Sequence, residues 1–134
     1  MRVKSGHYYG SELNKFIDEN CTRQMTCINI DCLLLKNDQK KVRFIEFKHS
    51  NEHFPLSQFR ALKILHLITS QSLSGWDSRV FVVRGNYPFD DGAKICSLSD
   101  LKAILLTRED LIKWLNFEKE LDFTTGDTLE VMQL

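Results

Sequence analysis

The sequence predicts an α/β domain built on a central mixed β-sheet of about four strands flanked by helices. Three observations carry this. Ile28-Asn29-Ile30-Asp31 and Phe44-Ile45-Glu46-Phe47-Lys48 are short apolar runs with polar groups set into them, separated by the wholly polar Lys36-Asn37-Asp38-Gln39-Lys40-Lys41. That pattern is two strands joined by a turn. Pro55 then opens a helix to about Ser70, whose broad apolar set (Leu56, Phe59, Leu62, Ile64, Leu65, Leu67 and Ile68) implies packing on the sheet. Arg79-Val80-Phe81-Val82-Val83-Arg84 is a third compact run. A helix separates it from the Glu46 strand, so the connection reads as a crossover, which makes the sheet mixed.

At 134 residues, the chain suits a single domain covering 1–134, large enough to bury a real core. Its 43% hydrophobic and 27% charged content are ordinary for a globular protein. A net charge of +0 counts against indiscriminate nucleic-acid binding but leaves room for a local basic patch. The four cysteines (Cys21, Cys27, Cys32 and Cys96) form no CxxC pair, so reduced thiols in a cytoplasmic protein are expected rather than a structural zinc site. No secretory leader or membrane-spanning run is visible.

The remaining elements follow from local signals. After a polar-aromatic lead-in, His7-Tyr8-Tyr9-Gly10, Ser11 is placed to cap a helix from Glu12 to about Asn20, with Leu13, Phe16 and Ile17 as its buried stripe. Cys21 to Met25 reads as a connector or a short first strand, and Thr26–Leu35 and Lys41–His49 are the two strands of the hairpin. His49 to His53 is a polar link, and Ser70 to Ser78 a Ser-rich loop. Gly85 to Gly92 is turn-rich, its Asp90-Asp91 pair reading as exposed loop acids. Lys94 to Leu98 suits a fourth short strand, with a further short segment to about Leu106. Thr107 caps a helix from Arg108 to about Glu120, with Asp110 at the capping-box position and Trp114 in the core or an interface. The tail from Asp122 to Leu134 suits an edge strand, a partner contact or a fraying end.

The hairpin carries the chemistry. Side chains alternate faces along a strand, so Glu46 and Lys48 share one face. If the turn is the two residues Asp38-Gln39, antiparallel register sets Asp31 opposite Glu46 and Asn29 opposite Lys48. A longer turn or a bulge shifts that register. Polar groups inside apolar strands cost free energy unless they are paired or metal-bound. Two close carboxylates repel, and a hard divalent cation such as Mg²⁺ relieves the repulsion. A lysine two residues from one ligand suits activation of water and neutralisation of charge on phosphorus. The plain alternative is a solvated hairpin face with an incidental ion pair. Arg60 and Lys63, on the polar side of the Pro55 helix, are candidates for phosphate-backbone contact or simply a solvated face. His49 is a further candidate for phosphate contact, since its spacing to His53 suits a metal only on a helix and this stretch reads as a loop.

Asp31 followed by Glu46-Phe47-Lys48 on the next strand, and then by an amphipathic helix, resembles the PD-(D/E)XK nuclease superfamily over roughly Ser11 to Leu67. Ile30 stands where the name of the superfamily has proline. The resemblance implies a restriction-endonuclease-like core in αβββαβ-type order. It also implies a metal-dependent endodeoxyribonuclease of restriction, homing or junction-resolving type. On that reading Asp31, Glu46 and the Phe47 carbonyl bind Mg²⁺ (with Mn²⁺ accepted), and Lys48 orients or activates water. Glu12 matches the first-helix glutamate that joins the metal site in resolvase-like branches, though an acid there is also explained by the helix dipole. Gln58 matches a glutamine that approaches the scissile phosphate or the attacking water. Symmetric cutting of both DNA strands implies a homodimer. The alternative function is a noncatalytic nucleic-acid-binding or assembly module of the same fold.

Overall fold

The structure, a computed structural model, describes residues 12–21, 30–72 and 75–129. Its elements are α1 (Glu12–Asn20), β1 (Cys32–Lys36), β2 (Lys41–Lys48), α2 (Leu56–Ser72), β3 (Asp77–Arg84), β4 (Ala93–Ser97), β5 (Lys102–Leu106), α3 (Arg108–Leu115) and β6 (Asp127–Thr128). The strands form one sheet in the order β1-β2-β3-β4-β5-β6. β2 and β3 run parallel, as the crossover through α2 requires, and every other neighbouring pair is antiparallel.

The α/β class and the mixed sheet therefore agree with expectation, but six strands replace about four. Among the described residues two strands precede α2 and four follow it. The possible first strand at Cys21 to Met25 falls almost wholly outside the described residues, as do Ser11, Cys27 and Asn29. The extra strands come from the second half of the chain. Leu98 to Leu101 turns tightly, with Leu101 at φ 52°, and returns the chain as β5 antiparallel to β4. The tail then supplies β6 on the far edge of β5.

Each face of the sheet meets one helix. On one side Val80, Val82 and Cys96 pack against Phe59 and Leu62 of α2. On the other Ile45, Phe81 and Ile95 pack against Leu111 and Trp114 of α3. The Phe81 and Trp114 rings meet edge-on at 5.0 Å. Thr107 caps α3 as expected, its Oγ1 accepting from the Asp110 N–H at 3.2 Å. The helix stops at Leu115 rather than near Glu120, because the chain turns at Asn116 and Phe117 takes a left-handed φ of 62°. Arg43, 5% exposed on β2, holds that turn in place. Its guanidinium lies 4.9 Å from the Trp114 ring and 4.0 Å from the Phe117 ring, pairs with Glu120 at 2.9 Å, and donates to the Trp114 carbonyl.

Two helical stripes depart from expectation. Leu13 and Phe16 of α1 are 66% and 59% exposed rather than buried. The broad apolar set of α2 divides: Phe59 and Leu62 are buried, while Leu56, Ile64, Leu67 and Ile68 stay 46–56% exposed. A sheet covers only one side of a helix, so an apolar arc wider than that side leaves a remainder in solvent. The three described cysteines, Cys21, Cys32 and Cys96, are free thiols. No helix among the described residues is long and apolar enough to cross a membrane.

Candidate active site

The β1–β2 ladder pairs Cys32 with Ile45 and Lys36 with Lys41. Extended by one residue, this register sets Asp31 opposite Glu46, as a two-residue loop at Asp38-Gln39 would. The turn itself is built differently. Asn37–Gln39 form one turn of 3₁₀ helix, closed by Lys40 in the left-handed region, with the Lys40 N–H bonded to the Asn37 carbonyl at 3.2 Å. β1 begins only at Cys32, so Asp31 stands in the bend before the strand and is exposed. Its Oδ2 accepts from the Phe47 N–H at 2.8 Å, taking the place of a ladder carbonyl at the open end of the hairpin. In a strand the N–H and C=O of one residue point to the same neighbour. The Phe47 carbonyl is therefore directed to the Asp31 side as well. The Phe47 ring goes to the opposite sheet face, where it meets His49 at 5.0 Å and Phe89 at 5.9 Å.

Glu46 and Lys48 are each 6% exposed. The Lys48 Nζ lies 3.7 Å from Glu46 Oε2 and 3.4 Å from Glu52 Oε2, and 5.5 Å from the centre of the Phe54 ring. Burial, and then the neighbouring Asp31 charge, push the Glu46 carboxyl up to about 7, against the opposing pull of Lys48. Near neutral pH this group divides between carboxylate and acid, and in the acid form it hydrogen-bonds Asp31. Its Oε1 is buried with no hydrogen-bond partner.

Glu52 belongs to this constellation, although the sequence reads there only as part of a polar link. Its Oε1 accepts from the His49 N–H at 3.0 Å while Oε2 faces Lys48. Burial pushes its carboxyl up, but the His49 N–H and Lys48 outweigh that and hold it below the ordinary value. The available signal was the spacing of four between Lys48 and Glu52, which the turn after β2 converts into an ion pair.

Gln58, in the first turn of α2, is half-buried, and its Oε1 is buried without a partner. A fully solvated glutamine is thereby excluded. The other expected groups separate from the cluster. Glu12 is exposed on α1. His49 is exposed, with its ring on Phe47 and its carbonyl accepting from Arg84 at 2.9 Å. Lys63 donates to the Leu98 carbonyl at 2.8 Å, in the turn between β4 and β5. Arg60 is exposed on the outer side of α2.

The structure thus gathers Asp31, Glu46, Lys48 and Glu52 around the open end of the β1–β2 hairpin, with the Phe47 backbone between them. No family model, no curated protein and no solved structure matches the chain.

Proposed function

We propose that this chain is a metal-dependent endodeoxyribonuclease of the PD-(D/E)XK type, hydrolysing DNA phosphodiester bonds with Mg²⁺ and accepting Mn²⁺. The observation that carries the reading is Glu46 Oε1, a carboxylate oxygen buried without a partner beside a second carboxylate. An unpaired buried oxygen is costly, and the ion-free protein meets that cost by holding a proton near neutrality. A divalent cation would displace the proton and occupy the vacant lone pairs, with Asp31, Glu46 and the Phe47 carbonyl as its ligands. Two carboxylates and a carbonyl form a hard, all-oxygen donor set of the kind Mg²⁺ takes alongside substrate oxygens. When bound, the ion polarises a phosphoryl oxygen and lowers the pKa of the attacking water.

The chain's own groups do the rest. Asp31 is fixed by the Phe47 N–H, so the ligand is held before metal arrives. Lys48, held between Glu46 and Glu52, is placed to hydrogen-bond the water and to offset charge developing on phosphorus. The unpaired Oε1 of Gln58 supplies an acceptor for a water or substrate hydroxyl. Cutting both strands of a duplex symmetrically calls for two copies of the chain.

The test incubates the protein with plasmid, linear duplex, single strand and four-way junction, each with Mg²⁺, Mn²⁺ or EDTA. Cleavage is expected with metal and not with EDTA. Lys48→Ala should lower it by at least about a hundredfold while keeping its circular dichroism. Unchanged cleavage by Lys48→Ala would remove the role given to that lysine. Failure to cut any substrate, together with no calorimetric binding of Mg²⁺ or Mn²⁺ below millimolar concentration, would leave a noncatalytic nucleic-acid-binding or assembly module.

A further inference from the structure

The loop between β3 and β4 opens a second concavity at the same end of the sheet as the candidate site. Cross-strand register leads to it. Lys48 pairs with Arg84 on β3, and Arg84 pairs with Lys94 on β4. Directly paired residues on neighbouring strands, about 4.8 Å apart, present their side chains to one face. Three cations therefore form a row on the face that carries Glu46. The row starts at the candidate water-activating lysine and ends two strands away. Along it lies a cleft of about 480 Å³, lined among others by Arg84, Asn86, Tyr87, Asp90, Asp91 and Lys94. That volume is in the range of small-molecule sites.

Direct contacts tie the walls of this cleft to the candidate site. The Gly85 N–H donates to the Lys48 carbonyl at 3.1 Å. The Ser50 N–H donates to Asn86 Oδ1 at 3.4 Å, and Asn86 Nδ2 donates to Ser50 Oγ at 3.0 Å. Arg84 donates to the carbonyls of His49 and Glu52 at 2.9 and 2.6 Å, so the turn that carries Glu52 rests on the same strand end. On the outer wall Arg108 Nε donates to the Pro88 carbonyl at 3.1 Å. Tyr87 is 84% exposed, yet its ring meets Phe89 edge-on at 6.4 Å, and Phe89 meets Phe47 at 5.9 Å. An exposed ring is thus fixed, through one neighbour, to the residue whose carbonyl is the candidate metal ligand. Fixing a ring in advance removes the ordering cost of stacking on it.

The cleft joins cations on the strands, an aromatic ring in the loop and two exposed carboxylates, Asp90 and Asp91. Phosphate matches the cations. A nucleobase matches the ring, since every base has a π-face, and its amino groups match carboxylate acceptors. The backbone of an intact duplex uses only the cations and meets repulsion from Asp90 and Asp91, while its paired bases stay stacked out of reach of Tyr87. An unpaired nucleotide uses all three. We infer that the cleft receives an unpaired nucleotide next to the scissile phosphate, its phosphate at the Arg84–Lys94 end of the row and its base stacked on Tyr87. This rests on the hydrolytic reading and narrows its substrate to DNA that presents an unpaired nucleotide beside the cut.

The test separates binding from cleavage. Fluorescence anisotropy in EDTA titrates the full chain against a labelled duplex with a central unpaired stretch, and against the same duplex fully paired. The unpaired form should bind at least about fivefold tighter, as one stacked base supplies. Tyr87→Ala should remove that difference with circular dichroism unchanged, because the residue is exposed. Tyr87→Phe should keep it, because stacking uses the ring and not the hydroxyl. Lys94→Ala should weaken binding of the unpaired form and reduce its salt slope by about 0.7, the share of one phosphate contact on a single strand. Equal affinity for the two duplexes, including none, overturns the proposal. So does a preference that survives Tyr87→Ala, or a salt slope untouched by Lys94→Ala. Incubating the same duplexes with Mg²⁺ reads the hydrolytic assignment separately. A Tyr87-dependent preference in binding with neither duplex cut refutes the hydrolysis and leaves the cleft. Cutting of both at equal rates, with no preference in binding, refutes the cleft and leaves the hydrolysis.

Discussion

Replacing Glu46 by Gln removes a titration that the fold drives toward neutrality, and the consequence is measurable without any substrate. The carboxyl rises from 4.5 to about 7 on folding. That is a rise of about 2.5 pH units, or roughly 3 kcal/mol at 1.36 kcal/mol per unit. The sign follows from proton binding. Between 4.5 and 7 the folded chain holds a proton that the unfolded chain has released, so raising the pH favours unfolding. The contribution is full below about 4.5, is lost progressively as the pH approaches 7, and changes no further above it. Glu46→Gln keeps the shape and carries no charge, so its stability should lack this component. In EDTA the difference between variant and unaltered protein should grow in favour of the variant by roughly 3 kcal/mol from pH 4.5 to pH 8, or about 10 °C in melting temperature for a chain of this length. Adding Mg²⁺ at ten times its dissociation constant should return about 1.4 kcal/mol to the unaltered protein at pH 8 and nothing to the variant. Stability profiles that run parallel from pH 4.5 to 8 would refute the reasoning, because Glu46 would then titrate alike in the folded and unfolded chains.

Perturbations at four further positions follow from the same structure. Gln58→Leu should stabilise the metal-free protein by about 1 kcal/mol in urea denaturation, by removing a buried acceptor without a partner, while lowering the rate of DNA cleavage at least tenfold or so. Glu52→Gln should lower kcat about tenfold with KM nearly unchanged, since it loosens Lys48 rather than a substrate contact; Glu52→Asp should recover part of the loss, and the pH midpoint near 7 set by Glu46 should persist. Arg43→Ala should destabilise by about 2–4 kcal/mol through lost stacking on Trp114 and Phe117, measured by chemical denaturation. Glu120→Ala should cost only about 1 kcal/mol, because Glu120 is 59% exposed and solvent already screens it.

Much of the site was legible in the sequence because it lies within one hairpin. Strand alternation puts Glu46 and Lys48 on one face, and a two-residue loop at Asp38-Gln39 would set Asp31 opposite Glu46, the register to which the Cys32–Ile45 pairing extends. The turn's internal geometry differed, yet the register survived, since pairing Lys36 with Lys41 leaves the same spacing either way. Glu52 was not legible as a partner of Lys48, because the contact depends on how the chain bends after β2. Lys63 looked like a free cation, and only the approach of the β4–β5 turn shows its ammonium bound to the Leu98 carbonyl. The sequence suggests a core or interface position for Trp114, but nothing local indicates that it stacks with a buried arginine seventy-one residues earlier.

The sequence by itself determined that the chain is an α/β domain with a parallel crossover, and that Glu46 and Lys48 share one face of a hairpin strand. Those properties arise from periodicity and turn chemistry over short separations. Only the tertiary structure decided that the sheet has six strands, that Glu46 is buried deeply enough to hold a proton near pH 7, and that α1 and half of α2 remain apolar in solvent. Desolvation and the uncovered part of a helix are set by what packs above them, and residues distant in sequence supply that cover.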